Sequence, residues 1–291
     1  MASTPSQVLV VGAFTADVFA DETRPGGAVS YAARAASALG RRLSILTIGD
    51  PDTDLTALDG HDLTLVADTT LTLAHSETTA GDRRLTLRAR PSRPLAASDL
   101  PEGWDSPSLL ILAPLLPDDI DLQSFHAVAP GAPRGLLGQG LQRTIAPSST
   151  IVTRSRPSSD LLQAMTATTT LFLSAEETNN WSREDITLLI GHGARFVVTR
   201  GAAGVSVYGG GHDAIELDAV PLESGDPVDT TGAGDVFATA FMLAVAEGQD
   251  DDAAAQIASE LAAAAIERVG AALLPERRID PAQASASRAA R

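Results

Sequence analysis

The sequence predicts an α/β fold, a three-layer sandwich in which helices cover both faces of a mainly parallel central sheet. Three observations carry this. Short runs rich in β-branched residues and Leu alternate with longer Ala-rich segments, which is the signal of βαβ units. The chain has 291 residues, 44% of them hydrophobic, enough to bury a sizeable core. Only 4% are aromatic, so Ala and Leu must fill that core, which suits helices packed closely on a sheet.

In chain order, the apolar run Val8–Val11 reads as the first strand. Gly12 follows it and Asp17 comes five residues later. Gly26 and Gly27 then open an Ala-rich helical segment that carries Ser30 and Tyr31 and ends at Gly40. Further strands are expected over residues 43–48, 109–113, 170–173 and 196–199. Residues 70–76 and 83–90 break the pattern by alternating apolar with polar side chains around Ala80, Gly81 and Asp82, which reads as a hairpin with one face covered and one wet. An ordinary edge hairpin would look the same. Pro-rich stretches at 91–101 and 114–117 read as loops. An apolar helix is expected over 236–246, and Ala254, Ile257, Leu261 and Ala265 follow helical spacing after it. One domain over residues 1–281 and a small, polar tail over 282–291 complete the reading.

The most informative segment runs from Val228 to Asp235, Val-Asp-Thr-Thr-Gly-Ala-Gly-Asp, directly before that apolar helix. The small residues let the backbone turn sharply, so free N–H groups at the helix start would face outward as an anion site that needs no basic side chain. Asp235, the first acid of the helix, would lie beside the bound anion, a position that suits a group handling protons. The pairing points to phosphoryl transfer to a hydroxyl. A helix N-cap after an ordinary Gly-rich turn is the plain alternative.

Composition narrows the chemistry. All 21 basic residues are Arg and the chain has no Lys, which excludes P-loop NTPases, protein kinases and Schiff-base enzymes. It has no Cys either, which excludes thiol nucleophiles, disulfides and Cys-ligated zinc. A formal net charge of -16 argues against nucleic-acid and anionic-membrane partners and for a small-molecule ligand. Without a secretion signal or an apolar run long enough to span a bilayer, a cytoplasmic protein is expected. The histidines, His61, His75, His126, His192 and His212, show no metal-ligand spacing. Only Gly12 stands where a dinucleotide fingerprint needs three glycines, so NAD chemistry is not expected.

The string from Asp229 to Asp235 with its following helix resembles the C-terminal signature of the ribokinase-like (PfkB) carbohydrate kinase family. The N-terminal strand with Asp17, the Gly26-Gly27 turn, and the segment from Phe196 through Thr199 and Gly201 to Gly204 resemble that family in order and spacing. The resemblance implies a small β lid over the substrate, contributed by about 16–25 and 69–91. It implies an ATP-dependent kinase moving the γ-phosphoryl group to a hydroxyl of a small polyol, sugar or nucleoside. Asp235 would be the base, and the amides of Gly232, Ala233, Gly234 and Asp235 the anion hole. Asp17 would bond two acceptor hydroxyls, Gly26 and Gly27 would admit its ring, and Tyr31 and His75 would lie beside it. Thr199, Gly201, Gly204, Thr230 and Ser259 would line the nucleotide. Glu177 would hold Mg2+ through water, Asp229 and Thr231 would match a K+ site, and pairing of two lids would make a homodimer.

The sequence departs from the family pattern at Ser174, Ser259 and the Ser30-Tyr31 neighbourhood, where Asn is usual. The Gly-Gly-x-x-Ser-Tyr string is nearer the inositol and nucleoside kinase-like branch. These departures keep open a second reading, a sensor of the same fold that binds nucleotide or sugar without turnover. Glu176 and Glu177 can equally be read as the acidic first turn of a helix.

Overall fold

Val8–Val11 (β1) is buried along its whole length, as a strand covered on both faces must be. The computed structural model describes residues 7–77, 83–209, 211, 213–272 and 274–276; the turn at Ala80, Gly81 and Asp82, His212 and the tail 282–291 lie outside the described residues. After β1 the chain forms an antiparallel pair, Thr15–Val18 (β2) and Thr23–Gly26 (β3). It then turns at Gly27, whose φ of 85° only glycine adopts readily, into helix Ala28–Ala38 (α1). Ser44–Gly49 (β4) returns parallel to β1 and is buried throughout. Asp62–Ala67 (β5) continues the sheet.

Leu71–Glu77 (β6) and Arg83–Ala89 (β7) pair antiparallel. Leu109–Leu112 (β8) and Arg134–Leu137 (β9) are parallel neighbours, and Arg143–Ile145 (β10) and Thr150–Thr153 (β11) form a further antiparallel pair. The remaining elements are Ser159–Ala164 (α2), Thr169–Ser174 (β12), Ala175–Thr178 (α3), Arg183–His192 (α4), Arg195–Thr199 (β13), Val205–Gly209 (β14), Ile215–Leu217 (β15), Ala233–Ala246 (α5) and Asp251–Ile266 (α6).

Among the described residues nine strands make the main sheet, in the order β15-β14-β13-β12-β9-β8-β1-β4-β5. Every pair in it is parallel except those that add β14 and β15 at one edge. Six strands make a second sheet in the order β10-β11-β7-β6-β2-β3. The expected strands appear within a residue or two of their predicted ends, and the mainly parallel α/β class holds. The strand β9 was not expected because Arg134 and Gly135 hide its apolar half. Arg134 is nevertheless 2% exposed, and its Nη2 donates to the carbonyls of His126 and Val128 at 3.0 and 2.6 Å. The strands β10 and β11 of the second sheet were also not expected, since neither is apolar or regularly alternating.

The helix α5 is buried all round from Val236 to Ala244 and packs against α1, α6 and the middle strands of the main sheet. No described helix is long and apolar enough to cross a membrane. Phe241 is wholly buried in α5, with its ring 5.6 Å from Phe172 and 6.1 Å from Phe237. Phe241→Ala is expected to cost about 3–5 kcal/mol, measured by denaturant unfolding; a loss below about 1 kcal/mol would contradict the central place given to α5.

Candidate active site

The turn before α5 is shaped by one close approach. Gly232 has φ 75°, and a Cβ at this position would overlap the ring of Tyr31 from α1. Both the backbone conformation and the space thus demand glycine. The next residues begin the helix, where the first N–H groups have no carbonyl behind them. Ala233 N–H reaches Thr230 O only at a long 3.4 Å. Nothing lies within 4 Å of where a Cβ of Gly234 would stand, so there is open room for an anion over this helix end.

The chain leading to the turn hangs from the end of α6. The N–H groups of Val228 and Asp229 both donate to Ile266 O, at 2.7 and 3.0 Å. Asp229 then accepts from Thr231 N at 2.9 Å and from Gly270 N at 3.0 Å, with Arg24 Nη1 at 3.5 Å. Burial works to raise the Asp229 pKa, but the N–H groups of Gly270 and Thr231, with the Arg24 charge, outweigh it and hold the carboxyl below its usual range.

Asp235 is half-buried in the first turn of α5. Its pKa is pushed up to about 7, first by loss of solvation and further by the charges of Glu177 and Asp17, against the opposing pull of Arg143. Arg143 was missed in the sequence because it sits alone at the start of a short strand. Its Nη1 donates to Leu115 O at 2.8 Å, and its guanidinium faces the fields of Glu177, Asp235, Asp119 and Asp17, which oppose the lowering that burial causes. This one cation stands among four acids. Asp119 is buried, accepts from the N–H groups of Leu115 and Leu116 at 2.7 and 3.0 Å, and is itself raised to about 7 by burial.

Asp17 lies on β2 with 6% exposure. Thr15 Oγ1 donates to its Oδ1 at 3.0 Å, and His75 Nε2 lies 3.6 Å from the same oxygen. A Cβ at Gly26 would overlap Asp17 Oδ2, and one at Gly27 would press to 2.5 Å from Ala13 O. The two glycines are therefore required by the protein's own packing. His75 stacks on Phe19 at 4.7 Å, and Arg24 covers the same ring at 4.8 Å. His75 thus joins Asp17, while Phe19 and Arg24 were not singled out in the sequence.

Thr199 ends β13, and Gly201 and Gly204 have φ of 54° and 88°. A Cβ at Gly204 would overlap Leu217 O on β15. Arg200 pairs with Glu216, which directs it to the sheet edge. Thr230 is exposed in the turn and Ser259 is half-exposed on α6. Glu177 is buried at 7% exposure and accepts from Ser174 N at 2.7 Å, closing a capping box at the start of α3. Its structural role as an acidic first-turn residue is therefore present whatever else it does. Among the described residues no three acid or imidazole groups converge as a metal cage. Elsewhere, Leu43 N donates to His61 Nδ1 at 3.1 Å, so Nε2 carries the proton toward Ala33 O.

Two measurements test this geometry. Gly232→Ala should destabilise the fold by more than about 1 kcal/mol, with part of the loss recovered when Tyr31→Ala is added. Strict additivity of the two would show that the ring and the turn are not in contact. Because the Asp235 pKa is raised on folding, the native state binds the extra proton between the unfolded value near 3.8 and about 7, and ionisation in that range lowers stability as pH rises. Asp119 acts in the same direction, so the comparison is between proteins: the unfolding free energy of Asp235→Asn relative to the parent should grow from pH 4 to about 7 and then level. A flat difference would contradict the raised pKa.

Residues 143–277 match the family described as pfkB family carbohydrate kinase. A stretch of 78 residues, 27% of this chain and 25% of the relative, is 41% identical to ribokinase of Bacillus subtilis (strain 168). A stretch of 111 residues, 38% of this chain and 30% of the relative, is 32% identical to adenosine kinase of Saccharomyces cerevisiae (strain ATCC 204508 / S288c). The matches thus span less than a third of the length of these curated relatives. A solved pyrophosphate-dependent kinase in the ribokinase family, complexed with a pyrophosphate analog and myo-inositol, superposes with a TM-score of 0.74 at 17% identity, covering 96% of this chain and all of that one. Residues 143–277 thus resemble the pfkB family of carbohydrate kinases, and the chain as a whole shares its fold with a solved kinase of the ribokinase family.

Proposed function

We propose that this protein is a kinase that transfers a terminal phosphoryl group from a phosphate donor, ATP in the family's usual form, to a hydroxyl of a small polyol, sugar or nucleoside. The observation that supports this most is Asp235: an acid with a pKa near 7, on the first turn of a helix whose amides are open to an anion. Phosphoryl transfer asks for alignment, dispersal of charge on the moving oxygens, and a base for the incoming hydroxyl. Each has a candidate here.

The amides of Gly232, Ala233, Gly234 and Asp235 receive the donor's charged end, aimed at oxygens whose charge grows during transfer. Arg143 adds a cation whose own carboxylate neighbours are held at a distance. Asp17, beneath His75 and beside the lid strand β3, accepts hydrogen bonds from acceptor hydroxyls and leaves one of them facing Asp235. As the bond from that hydroxyl oxygen to phosphorus forms and the bond to the leaving phosphate breaks, the hydroxyl proton passes to Asp235. A carboxylate with its pKa near neutrality is a better base than one near 4. Bound magnesium would neutralise the donor phosphates, with Glu177 holding it through water. Thr199, Gly201, Gly204, Thr230 and Ser259 are the candidates for the nucleotide side, and the lid is a candidate surface for a second copy.

The test is phosphoryl transfer from MgATP and, separately, from magnesium pyrophosphate, over acceptors that include myo-inositol, ribose and adenosine. Acceptor-dependent product is expected, with kcat/KM falling on the acid side of about pH 7 as Asp235 takes a proton. Asp235→Asn should keep donor binding and lose about 10²–10⁴ in turnover. Donor binding with no product from any acceptor would favour a sensor of this fold, and an active Asp235→Asn would remove Asp235 from the base role.

A further inference from the structure

A single charged side chain interrupts α1: Arg34, between Ala33 and Ala35, is 3% exposed. Burying a guanidinium is costly unless its charge and its donors are met. Among the described residues Arg34 has no carboxylate within ion-pair distance. Its Nη1 donates instead to Gly270 O at 2.7 Å and its Nη2 to Ala265 O at 3.2 Å. Burial lowers its pKa, while Tyr31 and Asp229 counter this, and arginine stays charged through such shifts. Backbone carbonyls grouped with a nearby carboxylate are the surroundings that a bare monovalent cation seeks.

What this corner supports is the turn that opens α5. Gly270 accepts from Arg34 through its carbonyl and donates through its N–H to Asp229, whose other oxygen accepts from Thr231 N. Ile266 O, one residue after Ala265, accepts from Val228 and Asp229. Tyr31 lies three residues before Arg34, on the same face of α1, and fills the space over Gly232. Two side chains of one helix thus bear on the turn, Tyr31 directly at Gly232 and Arg34 through Gly270 and Asp229. Arg268 Nη1 takes Ala264 O at 2.7 Å, so the carbonyls at the end of α6 are met from several directions.

We propose that Arg34 is the built-in cation of this corner, a positioning residue that holds the anion-binding turn in place, so that donor binding and turnover require no monovalent metal ion. This rests on the kinase reading above. The guanidinium bridges two carbonyls that a metal ion could otherwise join, and its covalent attachment makes it permanent. The K+ site implied by Asp229 and Thr231 is then replaced by a side chain of the protein itself.

Calorimetric binding of MgATP and of magnesium pyrophosphate to the intact protein, in KCl, NaCl and tetramethylammonium chloride at equal ionic strength, tests this without any substitution. Affinities should agree within about twofold across the three salts; tightening of about tenfold or more in KCl overturns the proposal. Arg34→Met should bind the donor about tenfold more weakly in tetramethylammonium chloride, with KCl or added guanidinium restoring it. A folded variant with unchanged affinity, or with a loss that neither ion repairs, overturns the proposal as well. If Arg34→Met does not fold, the salt comparison on the parent protein decides. Absence of donor binding in every salt would instead remove the kinase reading, a result distinct from a K+-dependent one.

Discussion

The ring of Tyr31 stands where any side chain at position 232 would have to go. This contact ties the helix that begins after Gly27 to the turn that begins α5, about two hundred residues later in the chain. Because Gly232 is held in a left-handed conformation there, α5 starts with its first amides facing outward and Asp235 on its first turn. The surroundings of Asp17 depend on the same region of α1, since Gly26 and Gly27 bring β3 close to Asp17. The regions proposed for donor and acceptor are thereby built on the two ends of a single packing contact.

Electrostatics then sets what this frame can do. The chain is acidic overall, and its candidate centre gathers Asp17, Glu177, Asp119 and Asp235 around one arginine. Such a centre would resist a phosphate anion if it relied on side chains. Backbone amides at a helix start and a fixed guanidinium supply local positive potential without an exposed basic patch. Burial first, and then the charges of Glu177 and Asp17, raise Asp235 toward neutrality, the range that suits the base role proposed for it.

Much of this was legible in the chain. The strands β1, β4, β8, β12 and β13 were readable because buried parallel strands need uninterrupted apolar runs, and the turn at Gly232 because few sequences demand so many small residues in a row. The strand β9 was obscured by Arg134, whose burial is made tolerable only by carbonyls that the sequence does not reveal. Arg143 carried no local signal, as its meaning comes from acids that are distant in sequence. Arg34 did carry one, a lone charge in an Ala-rich helix, but its partners at Ala265 and Gly270 become visible only when α1 and α6 are placed together. Glu177 shows the reverse case, where a residue predicted as a metal support also caps its own short helix.

The central claim is that the turn from Thr230 to Asp235 grips the donor's phosphate with backbone amides. Amide chemical-shift mapping of isotope-labelled protein during titration with magnesium pyrophosphate tests this most directly. The account predicts large, saturable shifts at the amides of Gly232, Ala233, Gly234 and Asp235, smaller ones at Tyr31, and little change along β5. Saturable binding that leaves those four amides unmoved would contradict it.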